Sequence, residues 1–280
     1  MPTNQGFRLA GVMGWPIAQS RSPVLHNFWF AAHGLDGTYV PLAVPPQRLK
    51  AALRALPALG FAGCNLTIPL KQDAMALVDA VDDTAAAIGA ISCVTVRPDG
   101  SLAGANNDWY GFVHNILDHA PDWRADRGPA LVIGAGGAAR AVLYGLLRRG
   151  AREIRLCNRT AARAEALARD FGAAVTALPW SARHDALEGA ALLVNTTSQG
   201  MKGQPALDLD LARLPQDAMV SDIVYIPRET PLLAAARAPG NPVVTGLGML
   251  LHQAVPAWQA WFGITPLVTA ALRDAVEATL

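Results

Sequence analysis

Cysteine, charge and uninterrupted apolar runs are all scarce in this sequence, and each scarcity removes a class of protein. The 280 residues hold three cysteines, Cys64, Cys93 and Cys157, far apart and with no CxxC spacing. A disulfide framework and a cysteine zinc site are thereby excluded, and a reducing, cytoplasmic setting is expected. Charged residues make up only 16%, and 23 Lys plus Arg against 22 Asp plus Glu leave a formal charge of +1. No field gathers nucleic acid or an anionic membrane surface, so neither is an expected partner. The longest apolar candidate, residues 130–147, is broken by four glycines and Arg140, whereas a membrane helix needs roughly 18 apolar residues. The start, MPTNQGFRLAGVMGW, shows no basic leader followed by a sustained apolar stretch, so a soluble, unsecreted chain is expected. The three N-x-[ST] matches at Asn65, Asn158 and Asn195 are set aside for the same reason.

What is abundant is apolar: 52% of the residues are hydrophobic, a core sufficient for one or two domains at roughly 100–200 residues each. Short β-like runs at 8–13, 38–42, 64–68 and 92–96 alternate with helical stretches at 24–32, 47–59 and 71–78, a βαβ rhythm. A helical stretch at 111–120 and a polar turn at 121–128 lead into a second series of strands at 130–133, 154–157, 192–195, 220–223 and 243–245. Two α/β units in series are expected. Segments 248–262 and 267–279 are helical with no strand of their own, so they must pack on something already built. Trp258, Trp261 and Phe262 offer an apolar face for docking on the first unit, and Cys93 and Cys157 read as buried thiols in apolar strands.

The strongest local signal is Gly134-Ala135-Gly136-Gly137-Ala138-Ala139, directly after the strand ALVI and opening a helix that runs through Leu147. Glycines at that junction allow a tight turn and let backbone N–H groups approach a pyrophosphate at the helix N-terminus. An NAD site usually ends the following strand with an acid on the ribose 2′-hydroxyl. Here the strand ends Leu156-Cys157-Asn158-Arg159-Thr160, with Arg163 beyond. With no carboxylate available and a planar fork of donors on Arg159, the expected cofactor is NADP; as ordinary helix-start residues, Arg159 and Arg163 would carry no such meaning.

Other residues admit chemistry and plainer duty alike. Ser20 and Ser22 sit two apart, a spacing that in an extended segment turns both hydroxyls to one side, where they can bind a carboxylate. Ser22 before Pro23 also reads as a helix N-cap. Lys71 follows a strand end behind Pro69, and Asp108 lies in another strand-end loop. A Lys near a carboxylate can exchange a proton with a hydroxyl as hydride leaves the adjacent carbon, although each, taken singly, also reads as a surface charge. His114 and His119 are five apart and fall on different helix faces, so no metal site is expected. His252 reads as a packing residue of the C-terminal helix.

Taken together, these segments form an ordered pattern. It runs Gly14-Trp15-Pro16-Ile17-Ala18-Gln19-Ser20-Arg21-Ser22-Pro23 with His26-Asn27, Asn65-Leu66-Thr67-Ile68-Pro69-Leu70-Lys71, and Gly104-Ala105-Asn106-Asn107-Asp108 with Gly111. The glycine loop and Asn158-Arg159-Thr160 follow, then Asn195-Thr196-Thr197-Ser198-Gln199-Gly200-Met201, Asp222-Ile223-Val224-Tyr225-Ile226-Pro227 with Thr230-Pro231-Leu232, and Gly246-Leu247-Gly248-Met249 with Gln253. Over nearly its whole length the chain resembles the shikimate dehydrogenase family.

The resemblance implies a two-lobed α/β enzyme: a substrate lobe at 1–107, with 246–280 returning to it, and a Rossmann-type NADP-binding lobe at 108–245. It implies reversible NADPH-dependent reduction of 3-dehydroshikimate to shikimate, in aromatic amino acid biosynthesis, by a cytoplasmic monomer or homodimer. Lys71 is then the proton-transfer residue and Asp108 its partner. Ser20, Ser22 and Tyr225 hold the substrate carboxylate, while Thr67 and Gln253 meet ring hydroxyls. Gly134, Gly136, Gly137, Ala138, Asn158, Arg159, Thr160, Arg163, Thr196, Gly246 and Met249 bind the cofactor. Two positions depart from the pattern. The family usually reads Gly-Ala-Val-Asn-Thr where this chain has Gly89-Ala90-Ile91-Ser92-Cys93, so the hydroxyl of Ser92 stands at a substrate-binding amide; and the usual Asn-Thr-Asp is Asn106-Asn107-Asp108. These keep open a paralogue acting on quinate, aminoshikimate or a related hydroxylated cyclohexane carboxylate, and a dinucleotide-sensing module without catalysis. Serine at both 20 and 22 favours shikimate over the bulkier quinate, and the retained Lys71 and Asp108 favour an enzyme.

Overall fold

The computed structural model describes residues 6–280 and divides into two compact units, one formed by residues up to Asn107 together with Gln253–Thr279, the other by Asp108–His252. The first unit begins β1 (Arg8–Gly14), α1 (Ser22–Ala32), β2 (Gly37–Ala43), α2 (Leu49–Ala55) and β3 (Phe61–Leu66). It continues with β4 (Ala80–Val81), α3 (Asp83–Ile88), β5 (Cys93–Val96) and β6 (Leu102–Ala105). Its sheet has the order β2-β1-β3-β5-β6-β4. The βαβ rhythm holds for β1, β2 and β3, which pair in parallel. It fails after β3, because β5 is antiparallel to β3 and forms an antiparallel pair with β6. The stretch expected as a helix at 71–78 contains only a short 3₁₀ turn, Asp73–Ala76.

The second unit runs α4 (Asp108–His119), β7 (Ala130–Ile133), α5 (Gly137–Arg148), β8 (Ile154–Cys157), α6 (Ala161–Phe171) and β9 (Val175–Leu178). It ends β10 (Leu192–Asn195), β11 (Met219–Asp222), α7 (Pro231–Arg237), β12 (Val243–Val244) and α8 (Leu247–His252). The sheet is parallel throughout, in the order β12-β11-β10-β7-β8-β9. Counted within the unit, this is the doubly wound order 3-2-1-4-5-6, which places the topological switch point between β7 and β10. The central strands are mostly apolar because both faces are covered, with polar residues at the ends of β10 and β11. Ala130 and Val132 of β7 enter a cluster with Val142, Leu143 and Leu146 of α5, whereas Leu131 and Ile133 enter the opposite one with Leu232 and Leu233 of α7.

The chain then supplies α9 (Ala254–Phe262) and α10 (Ala270–Glu277) to the first unit. Trp258 is fully buried there, packed on Trp29, Phe30 and Phe262 and donating its Nε1–H to His26 Nδ1 at 2.6 Å. Trp261 donates to Val94 O at 3.0 Å, so the aromatic face docks as its spacing suggested. The seven residues 246–252, expected with this returning segment, belong instead to the second unit, where α8 packs along α4. Cys64, Cys93 and Cys157 are free and buried. No helix among the described residues is long and apolar enough to cross a membrane.

Candidate active site

The turn after β7 is built around one backbone demand. Gly134 has φ +112°, and a Cβ there would lie 2.5 Å from Thr196 Oγ1, so both conformation and space exclude a side chain. Thr196 Oγ1 donates to Ile133 O at 2.7 Å. The exit of β10 is thereby fastened to the exit of β7, at the switch point where open α/β sheets bind ligands. Gly136 precedes α5, is exposed, and a Cβ on it would meet nothing within 4 Å. Gly137 and Ala138 open α5, and the N–H groups of a helix's first turn have no intrahelical acceptor, which makes them donors of the kind that phosphate oxygens take up.

The next strand ends at Cys157 with no acid after it. Asn158 Nδ2 donates to Thr160 O at 2.9 Å and shapes the turn into α6. Arg159, Thr160 and Arg163 are exposed, and neither arginine takes part in an ion pair among the described residues. Two uncommitted guanidinium groups, Arg159 just before the N-cap of α6 and Arg163 in its first turn, match a ribose bearing a 2′-phosphate rather than a free hydroxyl. On the other side of the switch point, the segment after β12 runs against the exit of β11: a Cβ on Gly246 would lie 2.3 Å from Ile223 O. Met249 follows on α8, half-buried against the core.

A polar network that sequence reasoning left without a role joins two of these exits. Asn195 and Asp222 end adjacent strands in register. Asn195 Nδ2 donates to Asp222 Oδ1 at 3.0 Å, and Asn195 Oδ1 accepts from Thr197 N and Oγ1 at 3.0 and 2.8 Å. Asp222 also accepts from Val224 N at 3.0 Å and from the Thr230 hydroxyl at 2.7 Å. Burial pushes the Asp222 carboxyl above its usual range, against the pull of these donors. The network fixes the loop of Thr196 and the residue before Tyr225, which is half-buried. The signal for it was a polar residue closing each of two buried strands, LLVN and MVSD.

In the first unit, Ser20 and Ser22 do not lie on an extended segment. The N–H of Ser20 closes a turn on Ile17 O at 3.0 Å, and Ser22 is the first residue of α1 rather than its N-cap, which is Arg21. The two remain adjacent, with Ser22 N donating to Ser20 Oγ at 3.3 Å. Thr67 is half-buried and held by its N–H on Met13 O at 2.9 Å; Lys71, also half-buried, accepts at its carbonyl from Ile91 N at 2.8 Å. Ser92 is 1% exposed, and its Oγ accepts from Asn107 N at 2.8 Å. Asn106 Nδ2 donates to Ala90 O at 2.9 Å. Asp108 follows, buried, as the first residue of α4, where a helix N-terminus favours an anionic side chain. Gln253, the residue that links α8 to α9 in the chain, is buried.

The histidines serve structure. His252 Nε2 lies 2.6 Å from Asp118 Oδ2, clasping α8 to α4; within α4, His114 stacks on Tyr110 at 3.9 Å and His119 Nδ1 meets Asn115 O at 2.8 Å. No group of three or more potential metal ligands occurs among the described residues.

A unit with a parallel doubly wound sheet and a glycine turn at its switch point, together with a mixed-sheet unit in the same chain, defines a Rossmann-type two-unit α/β protein. Its sequence matches three family models in succession: the shikimate dehydrogenase substrate binding domain at residues 12–94, shikimate/quinate 5-dehydrogenase at 120–223 and the shikimate 5′-dehydrogenase C-terminal domain at 246–277. A shikimate dehydrogenase (NADP+) of Paramagnetospirillum magneticum is 56% identical over 266 residues, covering 95% of this chain and 96% of the relative. Among solved structures, a shikimate 5-dehydrogenase of Thermus thermophilus in complex with NADP(H) and shikimate superposes with TM-score 0.87 at 37% identity, covering 98% of this chain and 100% of that one. A quinate dehydrogenase of Corynebacterium glutamicum in complex with NAD gives TM-score 0.90 at 32% identity, with 98% and 100% covered. The chain belongs to the shikimate dehydrogenase family.

Proposed function

We propose that the chain is an NADP-dependent shikimate dehydrogenase that interconverts 3-dehydroshikimate and shikimate. The observation that carries this reading is the exit of β8, where two uncommitted arginines replace the acid of an NAD site, in a chain whose curated relatives are NADP+-dependent shikimate dehydrogenases along almost their whole length. Bound NADPH would supply the hydride for the carbonyl carbon, and the protein must then deliver a proton to the carbonyl oxygen. Lys71 Nζ gives that proton, and in the reverse direction takes it from the hydroxyl. Asp108 orients the same hydroxyl. The hydroxyls of Ser20 and Ser22, with Tyr225, hold the substrate carboxylate, and Thr67 and Gln253 meet ring hydroxyls. Gly136, Gly137 and Ala138 present main-chain donors to the pyrophosphate, Arg159 and Arg163 grip the 2′-phosphate, and Thr196, Gly246 and Met249 line the remainder of the cofactor path. Three free thiols fit a reducing cytoplasm, and the enzyme works as a monomer or homodimer.

A positioned general acid or base contributes typically 10²–10⁴-fold in rate. Lys71→Ala should therefore lower kcat by about that factor with a smaller change in KM for shikimate, since the interaction is strongest in the transition state. Near wild-type kcat in folded Lys71→Ala protein would remove Lys71 from the mechanism.

A further inference from the structure

We propose that Ser92 is a positioning residue for Asp108, working through the main chain and not by contact with the substrate. The proposal rests on the reading of Asp108 given above and deepens it.

The N–H, carbonyl and hydroxyl oxygen of Ser92 are each hydrogen-bonded within the protein. Its N–H donates to Ala105 O at 2.9 Å and its carbonyl accepts from Leu66 N at 2.9 Å and from Asn65 Nδ2 at 3.1 Å. Its Oγ accepts from Asn107 N at 2.8 Å. With 1% of its surface exposed, the residue presents almost nothing for a ligand to touch.

The bonds lie where the proposed chemistry is assembled. Ile91 N donates to Lys71 O, so the dipeptide Ile91-Ser92 fastens the main chain of Lys71 with one residue and the main chain before Asp108 with the next. The hydroxyl is the side-chain part of this link. Asn107 leaves the end of β6 and its N–H has no strand partner there, because the β5–β6 pairing stops at Cys93 and Ala105. A buried N–H left without an acceptor is costly, and Ser92 Oγ is the acceptor that sets where the chain turns into α4. Behind Ser92 the support is rigid. Asn65 Oδ1 accepts from Tyr39 Oη at 2.7 Å, Tyr39 stacks on His26 at 4.0 Å, and His26 accepts from the buried Trp258. The position of Asn107, the residue before Asp108, is thus referred back to the core of the first unit through one hydroxyl. A shift of even a few tenths of an ångström at Asn107 moves the following residue with it, and proton-transfer geometry tolerates little displacement.

A double-mutant cycle tests this, with folding checked by thermal melting. Ser92→Ala should lower kcat for shikimate oxidation about fivefold to tenfold while changing KM for shikimate less than about twofold. In an Asp108→Asn background, the same substitution should lower kcat by less than about twofold further, because the hydroxyl acts only through Asp108. An unchanged kcat in Ser92→Ala would overturn the proposal, as would a KM raised about tenfold at constant kcat, which would mean that the hydroxyl touches the substrate. A full additional loss in a background already impaired by Asp108→Asn would overturn it too. If Asp108→Asn itself retains wild-type kcat, the role of Asp108 is what fails, a distinct outcome.

Discussion

Replacing Arg159 and Arg163 should convert cofactor preference without disturbing the fold. Both side chains are exposed at the start of α6 and neither makes an ion pair among the described residues, so their loss removes no folded-state ion pair; substitutions of that kind fall within about 0.5 kcal/mol in stability. Each guanidinium can make charge-assisted hydrogen bonds to a 2′-phosphate, but at an exposed position water and salt reduce their worth to the lower end of the usual range. Arg159→Ala should therefore weaken NADP+ about tenfold. The double substitution Arg159→Ala/Arg163→Ala should weaken it about a hundredfold if the two act independently, and less if they share one phosphate. NAD+ has no phosphate for either residue to hold, so its KM should stay within about twofold. The assay is steady-state shikimate oxidation with each cofactor varied in turn, repeated at two salt concentrations, with the wild-type preference shrinking at higher salt. A wild type that prefers NAD+, or a double variant that loses both cofactors equally, would refute the assignment.

Three further outcomes follow from other parts of the structure. Gly134→Ala should cost about 1–3 kcal/mol of stability, because φ is +112° and the new Cβ would meet Thr196 Oγ1; Gly136→Ala, with nothing within 4 Å of its Cβ, should leave the melting temperature unchanged while weakening NADP+. Ser20→Ala should raise KM for shikimate about fivefold to thirtyfold, the loss of one hydrogen bond to a charged group, and leave KM for NADP+ unchanged; equal activity on an analogue lacking the carboxylate would contradict it. Burial lowers the His26 pKa to about 3 from its ordinary value near 6.5. The folded state thus resists protonation that the unfolded chain accepts, so this contribution to stability is complete above pH 6.5 and is lost as pH falls toward 3. The melting temperature of the wild type should fall more steeply between pH 7 and pH 4 than that of His26→Gln, and parallel profiles would count against it.

How much of this was legible beforehand depended on where the physics is local. Strands β7 and β10 fall on the stretches read from sequence because, covered on both faces, they are nearly continuous apolar runs, and β8 does so although Arg155 interrupts it. β9, an edge strand with one exposed residue, and β4, two residues long, carry too little pattern to see. β6, Leu-Ala-Gly-Ala, has small residues in place of the β-branched ones that mark strands, and without it the antiparallel half of the first sheet could not be inferred. The glycine turn was readable because its requirement is a backbone angle at one position. The Asn195–Asp222 network and the Ser92–Asn107 bond were not, since each joins residues 27 and 15 apart in sequence that only the sheets bring together. The same limit misplaced Ser20 and Ser22: period-two geometry assumed an extended chain where there is a helix entry.

The central claim is the substrate, and a single comparison tests it: kcat/KM for NADP+ reduction by the purified chain with shikimate, quinate and aminoshikimate. Shikimate should lead quinate by about tenfold or more, the discrimination that one misplaced polar group supports. A higher kcat/KM for quinate or aminoshikimate would assign the pocket to a different ring, and no turnover of any of the three would contradict the enzyme reading itself.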